Sequence, residues 1–185
     1  MASSQGLVGG GDRLSPMPAL DAATIHQRLR ARFGDAIGDL TGARRDNASA
    51  TVAPARIADV CGFCRTEPGL EFDCLSNLGG VDYPKRNVIE VVYHLYSYVH
   101  RHLVTLKVEA PRDNPVVPTV SGIWSHADWQ EREVFDLLGV IFTGHPDLRR
   151  ILMPEDWPGH PLRKDFVEPE EYHGISTSRE SLLKA

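Results

Sequence analysis

Cysteine is scarce in this sequence: three in 185 residues. An odd number forms no disulfide framework and fits a reducing compartment. Long apolar runs are missing as well. None approaches the roughly 18–20 residues needed to span a bilayer, and the longest, Val88 to Val99, is interrupted by Glu90 and His94. There is no basic excess. The 20 Lys and Arg stand against 25 Asp and Glu, for a formal charge of −5, which argues against a nucleic-acid coat. HExxH, GxSxG, the P-loop and GxGxxG do not occur, so the usual fingerprints of hydrolase, nucleotide and dinucleotide sites are absent. Residues 1–17 have no apolar h-region and a single arginine, Arg13. They read as a flexible leader, not as a secretory signal or transit peptide.

What is present is ordinary for a soluble globular protein: 42% hydrophobic and 24% charged residues. The length fits one domain with tails. A chain of this size buries roughly 70% of its unfolded surface and needs no staple. Charge and proline are uneven. Residues 1–124 hold 13 acids and 13 bases, whereas residues 125–185 hold 12 acids and 7 bases. Five of the 13 prolines lie between Pro146 and Pro169, which excludes long helices there.

Apolar spacing predicts a helix over Ala19–Phe33, stopped by Gly34. Short strands follow at Ile37–Leu40 and Ala50–Val52 around a turn at Asp46-Asn47. Pro54 opens a second helix running to about Arg65. Phe72–Leu75 reads as a strand, and Asn77–Pro84, with Gly79-Gly80, as a loop. The strongest β signal is next. Ile89, Val91, Tyr93, Leu95 and Val99 alternate with Glu90, His94, Tyr96 and Tyr98, and Val104, Leu106 and Val108 alternate with Thr105, Lys107 and Glu109. Two such runs predict an antiparallel hairpin. Pro111, Pro115 and Pro118 end it, and Val120–Trp124 either extends the sheet or leads into a helix. That helix is expected over Ala127–Leu138, with Ser125 as N-cap, Asp128 closing a capping box, and Gly139 as its stop.

This order is not strict βαβ alternation. It predicts an α+β fold: a mixed, largely antiparallel sheet with helices packed on it, plus an extended proline-rich C-terminal arm. The division is a leader over 1–17, an α+β domain over 18–142, and an arm over 143–185. The arm has no periodicity but keeps Leu148, Ile151, Leu152, Met153, Trp157, Leu162 and Phe166. A disordered linker is poor in such residues, so this one needs a surface, either its own domain or another protein.

Three clusters invite chemistry. Cys61-Gly62-Phe63-Cys64, with Cys74 nearby, lacks the fourth ligand of a zinc or iron–sulfur site and sits late in a predicted helix, so core packing is the favoured reading. The eight histidines form no metal motif. The run Glu131-Arg132-Glu133-Val134-Phe135-Asp136 contains the i,i+4 pairs Asp128–Arg132 and Arg132–Asp136. On charge pattern alone it reads as a solvated, salt-bridged face. The sharper alternative is that these carboxylates hold Arg149, Arg150, Arg163 or Lys164 of the arm.

The stretch from Glu131 to Val140, then Phe142-Thr143-Gly144-His145-Pro146-Asp147-Leu148-Arg149-Arg150-Ile151-Leu152, closely resembles the signature of the C-subunit family of NADH–quinone oxidoreductase (respiratory complex I, peripheral arm). So do Pro154-Glu155-Asp156-Trp157-Pro158-Gly159-His160-Pro161-Leu162-Arg163-Lys164-Asp165-Phe166 and the upstream Val91-Val92-Tyr93-His94-Leu95-Tyr96. The match spans about residues 88–166.

The resemblance implies a protein without catalytic residues of its own, holding no flavin, iron–sulfur cluster or quinone ligand; FMN, the clusters and quinone lie on other members of the complex. It implies packing against the D subunit, with the B subunit and other peripheral-arm subunits nearby, on the cytoplasmic side of a bacterial inner membrane. Glu131, Arg132, Glu133, Asp136, His145, Arg149, Arg150, Trp157, Arg163, Lys164, Asp165 and Phe166 are the expected signature and partner-contact residues. The arm is then ordered in the complex and loose alone, with fast amide exchange after about residue 143. Alternatives are the equivalent subunit of a membrane-bound hydrogenase or ferredoxin-dependent complex, a stand-alone metal or redox protein using Cys61 and Cys64, and a peptide-binding adaptor working through its hairpin edge.

Overall fold

A computed structural model describes residues 19–42 and 48–177. The expected leader and the turn at Asp46-Asn47 lie outside these residues. Helix α1 spans Ala22–Phe33. Asp21 caps it by accepting from the Thr24 N–H at 2.7 Å, and Gly34 ends it with φ +57°. Strand β1, Ile37–Thr41, pairs antiparallel with β2, Ser49–Val52. A short 3-10 turn at Pro54–Arg56 feeds α2, Ile57–Thr66. Then come β3 (Cys74–Tyr83), β4 (Val88–Ser97) and β5 (His102–Pro111). The short β6, Val116–Pro118, runs parallel to β7, Ile141–Thr143, which lies beyond α3, Ala127–Leu138. A two-residue pair, β8 (Glu171–Tyr172) and β9 (Ile175–Ser176), closes the described chain.

The main sheet has the order β1-β2-β5-β4-β3, antiparallel except for the β2–β5 pair. The fold is α+β. On one face Ile89, Val91, Tyr93 and Leu95 of β4 stand opposite Ala110, Val108, Leu106 and Val104 of β5. They join Ile25 and Leu29 of α1, Ile57 and Val60 of α2, and Val134 and Leu138 of α3 in one buried core. Period-two alternation puts the other residues on the opposite face. There Glu90 accepts from Lys107 Nζ at 3.2 Å, and His94 lies 3.1 Å from Thr105 Oγ1.

Three local expectations are corrected. Residues 77–83 are strand, not loop. Gly80 is the reason glycine is tolerated there: a methyl on it would overlap Leu138 Cδ1 and press Val134 Cγ1 at 3.2 Å, so its absence lets α3 settle on β3. Val99 does not continue β4; the strand ends at Ser97 and Val99 is exposed in the turn. Ser125 is not the N-cap of α3. His126 takes that place without a side-chain cap bond, and it turns Nε2 to the Leu75 carbonyl at 2.5 Å instead.

Candidate interaction site at the junction of α3 and the C-terminal segment

Helix α3 repeats every 3.6 residues, so Trp129, Arg132 and Asp136 fall near one face while Ala127, Val134 and Leu138 point into the core. The solvated-face reading of its charges does not hold. Glu131 and Asp136 are both fully buried and Arg132 nearly so. A buried carboxylate needs donors to replace lost water, and each of these finds them in chain that lies outside the helix.

Asp136 gathers the segment that follows β7. Its Oδ2 accepts the backbone N–H groups of Ile151, Leu152 and Met153 at 3.1, 2.7 and 2.8 Å, and its Oδ1 accepts from Arg150 Nη1 at 3.2 Å. Three successive amides converging on one oxygen form an anion-binding nest. Arg150 also donates to the Gly159 carbonyl at 2.9 Å, which ties a second turn of the segment to the first. The main chain of α3 takes part as well. His160 Nδ1 donates to the Asp136 carbonyl at 2.9 Å, Leu162 N–H to that of Leu137 at 3.0 Å, and Arg163 Nε to that of Leu138 at 2.7 Å. These satisfy carbonyls that a helix C-terminus otherwise leaves open. Gly139, at φ +77°, leaves the room they need: a methyl there would stand 2.5 Å from His160 Nε2 and 2.9 Å from Arg163 Nη2.

Glu131 does a different task. Its carboxylate accepts from Val120 N–H at 2.7 Å and from the Thr119 hydroxyl at 2.5 Å, fixing the loop between β6 and α3. Burial raises its pKa above the usual glutamate value, and these two bonds oppose the rise only in part. The His145 side chain is buried beside it, Nε2 3.8 Å from Glu131 and 3.6 Å from Asp128. Arg132 lies 4.0 Å from Asp128, donates to the Arg149 carbonyl at 3.2 Å and covers the exposed Trp129 ring at 5.0 Å.

A further anchor was not foreseen. Asp82 of β3 takes a two-pronged contact from Arg112, at 2.7 and 3.0 Å, and accepts the Lys164 N–H at 2.8 Å; Arg112 reaches on to Asp165. Arg112's hydrogen bonds hold the Asp82 carboxyl below its ordinary range despite burial. Nothing in the sequence joins Asp82, Arg112 and residue 164; the β3-β4-β5 part of the sheet and the segment after β7 bring them together.

The remaining expected residues are less tied. Arg149 pairs with Asp147 at 2.9 Å on the surface, and Glu133 and the side chain of Lys164 are exposed. Trp157 packs on Tyr172 at 4.9 Å between ring centres, and Phe166 sits beside Gly159. The outward surface of the segment carries Leu152, Leu162, Val167 and Ile175, each more than half exposed, among Glu155, Asp156, Glu168, Glu170 and Glu171. An open groove of about 1060 Å³ lies elsewhere, lined among others by Arg32, Phe33, Arg56, Phe63 and Asp128. Cys61 and Cys64 are buried on α2 within the core; burial pushes the Cys64 thiol up to about 12 and Cys61 well above its ordinary value. Among the described residues no three His, Cys, Asp or Glu are grouped to hold a metal, and no helix is long and apolar enough to cross a membrane.

Comparison with known proteins gives a consistent result. Residues 50–172 match the family model described as respiratory-chain NADH dehydrogenase, 30 Kd subunit. The NADH-quinone oxidoreductase C subunit of Roseiflexus sp. (strain RS-1) is 54% identical over 148 residues, covering 80% of this chain and 84% of that protein. The C subunit of Chlorobium phaeobacteroides is 40% identical over 155 residues, covering 83% and 93%. Among solved structures, the trypsin-resistant fragment (1-134) of Nqo5 superposes with a TM-score of 0.56 at 26% identity, covering 68% of this chain and 98% of that one. A chain of the membrane-bound sulfane sulfur reductase, an archaeal respiratory membrane complex, superposes at 0.66 and 26% identity, covering 78% and 85%.

Proposed function

Since the chain belongs to the family of the respiratory-chain NADH dehydrogenase 30 kDa subunit, we propose that it is a structural and assembly subunit of a proton-translocating NADH–quinone oxidoreductase. In this reading it performs no reaction itself. It packs against the D subunit, next to the B subunit and the quinone-reducing module, and FMN, the iron–sulfur clusters and quinone are held by other members of the complex. It sits as a peripheral protein on the cytoplasmic side of the inner membrane.

The observation that carries the reading is the C-terminal segment. Its inner side is fastened to α3 and β3 through Asp136 and Asp82, while its outer side presents apolar and acidic side chains to solvent. Exposed apolar patches rimmed by charge are typical of protein–protein contact. A surface of that kind, held in register by buried carboxylates, suits docking and not turnover. The body then acts as a rigid block that presents residues 143–185, the docking arm. Arg149, Lys164, Trp157 and Phe166 belong to its contact region.

The amides of Ile151, Leu152, Met153, Leu162 and Lys164 are bonded within the chain. Within the arm, fast exchange in the lone chain is therefore expected only at amides without such bonds; the β8–β9 pair and the Thr177 N–H, which donates to the Glu170 carbonyl, are bonded within the chain as well. A second reading, the equivalent subunit of a related respiratory complex, draws on the likeness to the sulfane sulfur reductase chain. The relatives at 40–54% identity, all called C subunits of NADH-quinone oxidoreductase, favour the first.

Affinity purification of the tagged chain from its host tests the proposal. Co-purification of D-like and B-like subunits with NADH:quinone activity is expected. A monomer that recovers neither, or a lone chain that turns over NADH, would refute it.

A further inference from the structure

We infer that the open groove between α2 and the loop from β6 to α3 receives an extended segment of a sister subunit in which a carboxylate stands beside an apolar side chain. The inference rests on the reading of the chain as an assembly subunit.

The groove, of about 1060 Å³, has an aromatic part. Phe33, the last residue of α1, meets Phe63 of α2 edge to face, with 5.5 Å between ring centres, and both residues are half-buried. The loop adds Ile123, also half-buried, together with Ser121 and Ser125. An apolar side chain entering the groove covers surface that the chain itself leaves in water.

Gly62 is the second observation. It lies inside α2 and lines the groove. Glycine is a poor helix residue. No positive φ calls for it at this position, and a methyl on it would meet no atom within 4 Å. Neither the backbone nor the packing of the chain therefore requires glycine there. Gly122, on the loop, is alike: a methyl on it would also meet nothing. Close approach of another backbone is a recognised reason for leaving such positions bare.

Charge selects the occupant. Four charged residues line the groove. Arg56 and Asp59 bind each other at 2.9 Å. Asp128 turns Oδ1 to His145 and Arg132, at 3.6 and 4.0 Å. Arg32 is exposed, and no carboxylate among the described residues pairs with it. Its guanidinium and that of Arg56 lie over the same Phe33 ring, 5.8 and 5.5 Å from the centroid. Two cations thus share one ring and a single carboxylate. A carboxylate brought to Arg32 supplies the missing counter-charge, and a planar guanidinium is suited to take it by two parallel bonds. A basic segment would meet Arg32 and Arg56 as like charges.

Position selects the source. Gly144 and Pro146, near the start of the arm, line the groove as well. Its occupant therefore adjoins the arm that the assembly reading sets on a sister subunit. A second copy of the chain offers similar chemistry where Val167 stands beside Glu168, but the same reading commits that arm to the sister subunit.

A photo-cross-linking benzoylphenylalanine in place of Ser125, an exposed residue of the groove wall, tests this in the full chain within the purified complex. Mass spectrometry is expected to return a sister-subunit peptide with Asp or Glu next to an apolar residue. Arg32→Glu should lower recovery of sister subunits about ten-fold, and Arg32→Lys, which keeps the charge, less. Gly62→Leu should keep or raise the melting temperature of the free chain, since leucine is the better helix former, and still lower recovery. A complex that forms without a cross-link from position 125, or with one to a segment lacking an acid, overturns the inference and leaves the assembly reading standing. So does full recovery with both Arg32→Glu and Gly62→Leu. A cross-link to a second copy, or within the chain itself, overturns the choice of occupant. Failure of the wild-type chain to recover any sister subunit overturns both readings.

Discussion

Replacing Asp136 with Asn is the sharpest perturbation of the C-terminal segment. The side chain is fully buried, and its two oxygens accept from three backbone amides and one guanidinium. Asn keeps the shape but offers one oxygen and an NH2 group. Whichever way it turns, donors face donors, either at the 151–153 nest or at Arg150. Removing one partner of a buried ion pair costs about 3–5 kcal/mol, the same order as losing one or two charge-assisted bonds at about 1.5–3 kcal/mol each. The chain need not bear that cost as global unfolding, because residues 150–153 can leave the surface and rehydrate. At about 1.4 kcal/mol per decade, the amides of 151–153 should exchange roughly 10²- to 10³-fold faster. Trypsin should then cut sooner after Arg149, Arg150 and Arg163. Core amides of β4 and β5 should change far less. Native-state exchange followed by mass spectrometry reads both regions at once. Unchanged protection at 151–153, or loss spread evenly over the sheet, would refute the argument that this carboxylate fastens the segment locally.

Gly80→Ala should lower stability to urea by about 1–3 kcal/mol, the usual cost of overpacking, because the methyl meets Leu138 and Val134; an unchanged midpoint would mean α3 can shift. Gly139→Ala adds a left-handed backbone strain of about 1 kcal/mol or more to its clash with His160 and Arg163, and should loosen residues 160–164 in proteolysis. Stability should fall in acid and also carry an opposing limb. Asp82, held low by Arg112, contributes stability above the unfolded value near 3.8 that is lost as pH falls through its folded pKa; Glu131, raised by burial, binds its proton more tightly when folded, so its ionisation erodes stability as pH rises from 4.5 through its folded pKa. Asp82→Asn should flatten the first limb and Glu131→Gln the second in melts across pH, and no change in either would refute the assignments. A thiol reagent at pH 8 should label the half-buried Cys74 first and reach Cys61 and Cys64 only on unfolding, since both are buried and resist ionisation; three equally fast thiols would contradict the core placement.

The hairpin of β4 and β5 and the limits of α3 were legible because local rules agree there: strict period-two alternation, and a helical stripe stopped by glycine. Residues 77–83 were misread because Gly79-Gly80 signals a turn locally, while the strand is imposed by pairing with β4 and by the approach of Leu138 to Gly80. The charged run of α3 was misread as surface for a related reason. Composition records that Glu131 and Asp136 are acidic, not that loop amides will come to meet them. Asp82 and Arg112 carried no signal, since their partners, including Lys164, lie up to 82 residues away in sequence.

Local patterning along the chain therefore determined the α+β class, the position of most elements, and the absence of a disulfide framework or membrane-spanning run. The resemblance at 88–166 added the family. Only the tertiary structure decided which charges are buried, where residues 144–166 lie, and which side chains wall the open groove. The physical reason is that periodicity is set by neighbours a few residues apart, whereas desolvation and hydrogen-bond satisfaction are set by whatever the fold brings within three ångströms.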